Sequence, residues 1–393
     1  MSLKRFWGMA FLMRSALALC SVALCMPALY AHNVKVVAGF PASEPGYSLG
    51  VSACYAGVIG DYVVMAGGCN FPEAGRPKRY YAGIYAARID TDVLQWRLVG
   101  FLPEAAAYGA TIASGDSLVF IGGNNSARSL RTVYSLHLVD GATACSLRRL
   151  ADLPCAVDNM AVAEVDGRVF VVGGNQDGKP SARVMRVELG GTKPSAGIDG
   201  REPTALGGDG FKYALCQADS ALCIPDGPRV QPVAVGYHNR LYVWGGFHAD
   251  GANSSVRTDG YALDMASGVW TKVDAPCTDG GDAATLSGGV AWTDGERIFA
   301  TGGVDRRIFL DAISGRYECV DKDDYLKQPI GWYRFNGNLF VFDCTAEKWL
   351  PLSFNCSGLA RAGAQVVATK LGTYYIGGEL KPMVRTPQIL LLE

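Results

Sequence analysis

Apolar and polar residues alternate in short runs along this chain, and the runs keep ending in the same way. Six apolar runs close on a glycine doublet: Tyr62–Gly68, Ser117–Gly123, Arg168–Gly174, Arg240–Gly246, Arg297–Gly303 and Thr373–Gly378. Before most of them lies a second run of small or alternating residues and a tight turn, as in Ala161–Val165 ahead of Asp166 and Gly167. This pattern predicts antiparallel strand pairs joined by hairpins. After several doublets a variable loop leads to a third strand and then a fourth that carries a tryptophan. Tyr85, Asp90 and Trp96, then Tyr261, Asp264 and Trp270, then Phe340, Asp343 and Trp349 mark it.

Four strands grouped around a glycine pair make one blade of a β-propeller, and six copies predict an all-β, six-bladed ring. Glycine is expected at the doublets because the backbones converge there and a side chain would collide. The spacing is uneven, which places insertions at about 190–227, rich in Gly, Pro, Asp and Cys, and at about 305–334, charged and aromatic. The second insertion is read either as a lid over one end or as a solvated loop. The sixth unit supplies one more strand, Gln388–Leu392, and the segment His32–Val37 reads as the strand that completes it. Such closure by the N-terminal strand leaves no long unpaired edge.

Composition narrows the class. Gly contributes 49 of 393 residues and charged residues only 19%, as suits a chain of strands and tight turns. With 36 Lys plus Arg against 37 Asp plus Glu, no bulk field favours nucleic acid or an anionic membrane. Residues 1–31 carry Lys4 and Arg5, an apolar run from Ser15 to Met26, and small residues between Ala28 and Ala31. They read as a cleaved secretory signal, with 32–393 as the exported, periplasmic propeller and no stable membrane insertion of the mature chain. Beyond Cys20 and Cys25 ten cysteines remain, free to pair in an oxidising compartment. Cys216 with Cys223 and Cys145 with Cys155 are the favoured bridges, against buried free thiols. Four histidines and no Cys/His spacing of zinc type give no metal site.

The doublet followed by Tyr, Asp and Trp resembles the Kelch repeat. The string Gly378, Glu379, Leu380, Lys381, Pro382, Met383, Val384, Arg385, Thr386, the segment Thr301–Val304 with Ile308 and Phe309, and the Glu73 loop with its cations Arg76, Lys78 and Arg79 are together similar to bacterial N-acetylneuraminate epimerases, the sialic acid mutarotases. The Glu-basic loop lies in the first repeat here and late in that family, so the chain resembles a cyclically permuted branch. The resemblance implies a small sugar acid as substrate, no cofactor, and interconversion of α and β anomers. Ring opening needs one carboxylate as base, one proton donor and a cation for the substrate carboxylate.

Glu73 is the first choice for the base, since the resemblance places the family's catalytic glutamate in this loop. Glu379 is its rival, the plainer reading being an ion pair with Lys381 or Arg385. Arg385 is favoured for the substrate carboxylate because a guanidinium grips both oxygens, with Arg131, Arg361 and Arg79 behind it. Asn70 and Asn124, after doublets, are candidates for sugar hydroxyls or the N-acetyl group, or simply turn residues. Tyr80 and Tyr81 are candidate proton donors. The alternative function is a non-catalytic Kelch propeller that binds a glycan or protein; a copper radical oxidase on the same fold is disfavoured by the scarcity of histidine. Oligomeric state is left open.

Overall fold

The computed structural model describes residues 33–73, 75–187, 222–351 and 354–393. The expected signal segment, His32, Cys216 and most of the 190–227 insertion lie outside them. Strands dominate, and the expected hairpins form. The first sheet takes Tyr55–Ile59, Tyr62–Ala66, Gly83–Arg88 and Arg97–Phe101 in chain order. The second takes Ala110–Ser114, Ser117–Ile121, Val133–Val139 and Ala144–Arg149, and the third Ala161–Val165, Arg168–Val172 and Val184–Val187. Val230–Tyr237, Arg240–His248, Gly260–Asp264 and Trp270–Val273 lead the fourth, with Gly289–Thr293, Arg297–Gly302, Leu339–Asp343 and Lys348–Trp349 in the fifth. The sixth joins Gln365–Thr369, Gly372–Ile376 and Ile389–Leu392 to Val34–Val37. There Val34 faces Leu392 and Val37 faces Ile389, antiparallel.

The alternation along each strand buries residues on both faces, and the core lies between the sheets. Val63, Met65 and Tyr85 of the first sheet pack on Tyr374, Ile376 and Leu391 of the sixth. On the other face Val64, Ile84 and Ala86 pack on Leu118, Phe120 and Leu136 of the second. Equivalent clusters fill the spaces between the second and third, third and fourth, fourth and fifth, and fifth and sixth sheets.

The doublets sit where consecutive sheets touch. A Cβ on Gly67, at φ 61°, would lie 2.3 Å from the carbonyl oxygen of Ala106, and one on Gly377, at φ 60°, 2.4 Å from that of Val51. Only glycine tolerates both that torsion and that approach. The second glycine then donates its N–H across the same gap, Gly68 to Ala106 O at 2.8 Å and Gly378 to Val51 O at 2.9 Å.

Near the start of each first strand, one backbone hydrogen bond joins each sheet to the next, and the bonds return to their start. Ala53 N donates to Gly363 O (2.7 Å), Gly363 N to Gly288 O (2.7 Å) and Gly288 N to Gln231 O (3.1 Å). Gln231 N donates to Asn159 O (2.7 Å), Asn159 N to Tyr108 O (2.8 Å) and Tyr108 N to Ala53 O (2.9 Å). All six residues hold φ between 52° and 72°.

The 305–334 insertion is helical rather than a loop: Arg306–Ile313 forms helix α1, whose first turn is capped by the Asp305 carboxylate accepting from Ile308 N at 2.9 Å. Among the described residues no helix is long and apolar enough to cross a membrane. Cys145 and Cys155, expected to pair, are both free thiols. Cys155 is buried with its Sγ 3.8 Å from Met185 Sδ, facing the gap between sheets rather than Cys145. Cys223 is free as well.

Candidate active site

The string after the sixth doublet folds into a hairpin, Glu379–Lys381 against Val384–Arg385, turned at Met383 with φ 70°. In its register Glu379 stands opposite Arg385, so the six-residue separation in sequence puts both side chains on one face. The Arg385 Nη1 lies 2.5 Å from Glu379 Oε2. Arg385 is buried at 3% side-chain exposure and Glu379 keeps 22%. Backbone bonds to Ala362 fix Glu379 against the sixth sheet. Arg385 Nε reaches across to the first sheet and donates to Ser52 Oγ at 2.6 Å, while its guanidinium lies 5.3 Å from the Phe71 ring centre.

The first doublet contributes the rest. Cys69 pairs with Ser52 on one side and with Tyr80 on the other, and Lys78, one residue before the returning strand Arg79–Tyr80, is carried to the same Phe71 ring that Arg385 approaches. Its Nζ donates to the Tyr108 hydroxyl at 3.0 Å and lies 4.7 Å from the Tyr108 ring centre and 5.9 Å from those of Tyr80 and Phe71. Tyr108 is one of the six residues in the hydrogen-bonded ring.

These groups shift one another. Burial raises the Glu379 carboxyl above the usual glutamate range, and Arg385 and then Lys78 pull it back only in part. The Tyr108 phenol is held well above its ordinary value, chiefly by burial and next by Cys69, with Arg385 opposing and Glu379 adding. Burial also pushes Tyr80 up to about 12. The site therefore sets a carboxylate that takes a proton more readily than a solvated glutamate beside a phenol that is in its protonated form at neutral pH.

The insertion borders this recess. Lys381 Nζ donates to the carbonyls of Leu326 (3.1 Å) and Gln328 (2.6 Å), and sits 5.8 Å from the Tyr333 ring centre. The insertion thus touches the Glu379 hairpin through Lys381.

The other candidates fall elsewhere. Glu73 is 70% exposed, its one ion-pair partner among the described residues is Arg76 at 3.6 Å, and it takes no part in the cluster. Arg79 is exposed, with its guanidinium 5.2 Å from the Tyr81 ring centre. Arg131 donates to the carbonyls of Leu153 and Pro154 in the second sheet's connection. Asn70 is a buried strut that donates to Gly46 O and Gly50 O, both at 2.8 Å, and accepts from Tyr81 OH. Tyr81 is thereby committed to structure. Asn124 pairs with Ala107 and Ser129, and its buried Oδ1 has no hydrogen-bond partner among the described residues.

Arg361 is buried beneath the rim, its Nη1 donating to Gly377 O (2.9 Å) and Gln388 O (2.8 Å) over the Tyr375 ring. Arg229 does the same in the fourth sheet, to Gly245 O and Asp259 O over Tyr261. Each stands two residues before a ring residue, so Arg361 is a repeated strut between sheets. Arg361→Met should lower unfolding free energy by about 3 kcal/mol, since it strands buried carbonyls at roughly 1–3 kcal/mol each. Urea denaturation measures this; an unchanged midpoint with lost sugar binding would instead make Arg361 a ligand residue.

Sequence reading passed over Tyr108 and Ser52 and used Lys78 only as a member of a basic loop. The signal for Tyr108 was available in the repeat register: at or just ahead of the start of each first strand stand Ala53, Tyr108, Asn159, Gln231, Gly288 and Gly363. Tyrosine is the one aromatic there. Among the described residues no three of His, Cys, Asp and Glu are grouped as metal ligands.

Fold and site define an all-β repeat protein with a buried glutamate–arginine pair where its last and first sheets meet. More particularly, this chain is similar to the N-acetylneuraminate epimerases: residues 217–393 match the family model of that description. The N-acetylneuraminate epimerase of Pasteurella multocida (strain Pm70) is 30% identical over 173 residues, 42% of this chain and 44% of that protein. N-acetylneuraminate epimerase 1 of Escherichia coli O6:H1 is 26% identical over 171 residues, 41% of this chain and 44% of its own. The chain thus spans less than half the length of these curated relatives. A solved chain titled "Structure of YjhT" aligns over 62% of this chain and 65% of that one, at 22% identity and a TM-score of 0.47. The matched stretch contains Glu379 and Arg385; the Glu73 loop lies outside it.

Proposed function

We propose that this protein is an exported sialic acid mutarotase, built as a six-bladed Kelch-type propeller closed by Val34–Val37. The ring of six head-to-tail backbone bonds and the cores between successive sheets support that architecture. The buried Glu379–Arg385 pair carries the functional reading. A buried ion pair is weak support for stability and is better explained by chemistry.

The reaction needs a proton removed from the anomeric hydroxyl and one delivered to the ring oxygen. Glu379 takes the first; the bond from the anomeric carbon to the ring oxygen breaks as that hydroxyl becomes a ketone. Tyr108, polarised by the Lys78 ammonium on its oxygen, gives its proton to the leaving ring oxygen. The carbonyl turns its other face, and the same two groups run the steps in reverse. Arg385 holds the substrate carboxylate beside the base.

Proton NMR of N-acetylneuraminate freshly released as the α anomer tests this. Purified protein should hasten approach to the same anomer ratio; an unchanged rate with folded protein that still binds the sugar would make it a binding module. Arg385→Ala should weaken binding of the acid by about 100-fold, as expected for a lost charge-assisted bidentate contact of roughly 2–3 kcal/mol. A neutral sugar of the same ring should lose much less. Equal losses for both would make Arg385 structural.

A further inference from the structure

A cavity of about 1110 Å³ lies apart from the Glu379–Arg385 cluster, bordered by helix α1, the 331–338 segment, the 278–285 segment and Asn355. None of Glu379, Arg385, Lys78 or Tyr108 lines it. Four arginines do: Arg306, Arg307, Arg316 and Arg334. The acids among its walls are Asp282 and Asp305, and Asp305 spends its carboxylate on the cap of α1. A local excess of positive charge therefore sits in a chain whose net charge is −1.

The fold accounts for these cations only in part: Arg307 bonds to the Cys319 side chain and Arg316 lies in the field of the Asp311 carboxylate. Among the described residues none of the four comes within 4.0 Å of a carboxylate oxygen as an ion pair. Arg306 and Arg307 occupy the first turn of α1, where the helix dipole disfavours positive charge by about 0.3–1 kcal/mol each. Arg306 Nε is fixed by Val256 O at 3.2 Å, which holds the side chain without neutralising it. Arg334 has φ 50°, a left-handed torsion that costs a side chain roughly 1 kcal/mol. Costs without a structural return are expected where a ligand supplies the return.

The rest of the lining narrows the ligand. Trp332 and Phe335 offer aromatic rings, and Trp332 is held edge-on by Tyr333 at 5.1 Å and Tyr325 at 6.0 Å. Asn336, Asn338 and Asn355 add amides fixed by one another and by Gly302 O. Guanidinium for carboxylate, aromatic ring for the C–H face of a pyranose and amide for hydroxyls is the donor set of an acidic sugar. The volume lies just above the roughly 300–1,000 Å³ typical of small-molecule sites, enough for more than one ring.

We propose that this cavity is an accessory subsite for an acidic oligosaccharide, a short glycan bearing at least one carboxylate. It holds a sugar chain rather than the free monosaccharide. Its recognition does not depend on the mutarotase reading.

Calorimetric titration of the whole protein with a trisaccharide ending in glycosidically linked N-acetylneuraminate, and with the same glycan lacking that sugar, tests it. The acidic glycan should bind and the neutral one should not. Arg307→Glu with Arg316→Glu should weaken binding at least tenfold, about 1.4 kcal/mol, by charge reversal. Trp332→Ala should weaken it too without changing charge, and anomer exchange of free N-acetylneuraminate should stay as in the parent protein. Circular dichroism matching the parent qualifies each variant; if the double variant misfolds, Trp332→Ala alone decides. Undiminished binding by the folded variants, or equal binding of the neutral glycan, would overturn the proposal. So would full displacement by millimolar inorganic phosphate, which would mark a general anion site.

Discussion

Glu379→Gln should lose about 10²–10⁴-fold in kcat, the range for removing a positioned general base, while the sugar still binds. The amide keeps the shape of the carboxyl and its backbone place against Ala362, so the recess stays formed. What disappears is the group that accepts the anomeric proton. Glu73→Gln should retain the parent rate, because that side chain projects into solvent beside Arg76. Kinetics by NMR decide between them, and a fully active Glu379→Gln would remove the base assigned here. The pH profile adds a second reading. Since burial raises the Glu379 carboxyl above its ordinary 4.5, kcat/KM should fall on the acid side at a higher pH than a solvated glutamate gives. The sign for stability is the reverse. The folded state keeps the Glu379 proton to higher pH than the unfolded chain, so this group's contribution is full below 4.5 and is lost as pH rises through the folded value.

Removal of residues 33–40 should abolish cooperative folding or lower its free energy by at least about 4 kcal/mol, counting roughly 1 kcal/mol for each backbone hydrogen bond forfeited. The segment is bonded on two sides. Val34–Val37 pairs with Ile389–Leu392, and Asn33 binds Glu393 through both backbone and side chain. Ala38 exchanges backbone bonds with Asp92 and Leu94 of the first sheet's last connection, Gly39 O accepts from Trp96 Nε1, and Phe40 stacks on Tyr47 at 5.8 Å. One short stretch thus holds the sixth sheet to the first. Its loss exposes an apolar edge strand, which also invites aggregation. Urea unfolding with an unchanged midpoint and slope would show that the stretch is dispensable.

The repeat was legible because strand alternation and doublet recur on the scale of single residues. Gly67 and Gly377 mark contacts that no other residue tolerates, so the sequence had to declare them. The pairing of Glu379 with Arg385 was legible in part: it was foreseen as the plainer alternative, and the hairpin register turns that pair into the centre of a polar cluster. Glu73 was ranked above it because the resemblance pointed to its loop, and a string bounded by Pro72 and Pro77 does not tell whether its acid faces inward. Tyr108 escaped because its role comes from a neighbouring sheet's Lys78, a contact 30 residues away that no local pattern encodes. Cys145 and Cys155, near in sequence, are held apart by the faces they occupy.

The six backbone bonds that link Ala53, Gly363, Gly288, Gln231, Asn159 and Tyr108 have an electrostatic consequence. In a helix, peptide dipoles point the same way and add. Here they run head to tail around a closed loop, so their vector sum nearly vanishes. The ring of peptides that includes Tyr108 therefore brings no end charge of its own, unlike a helix terminus under a bound anion. The potential felt by a ligand there is written by side chains, chiefly Arg385, Lys78 and Glu379, and each of those can be altered without changing the backbone field.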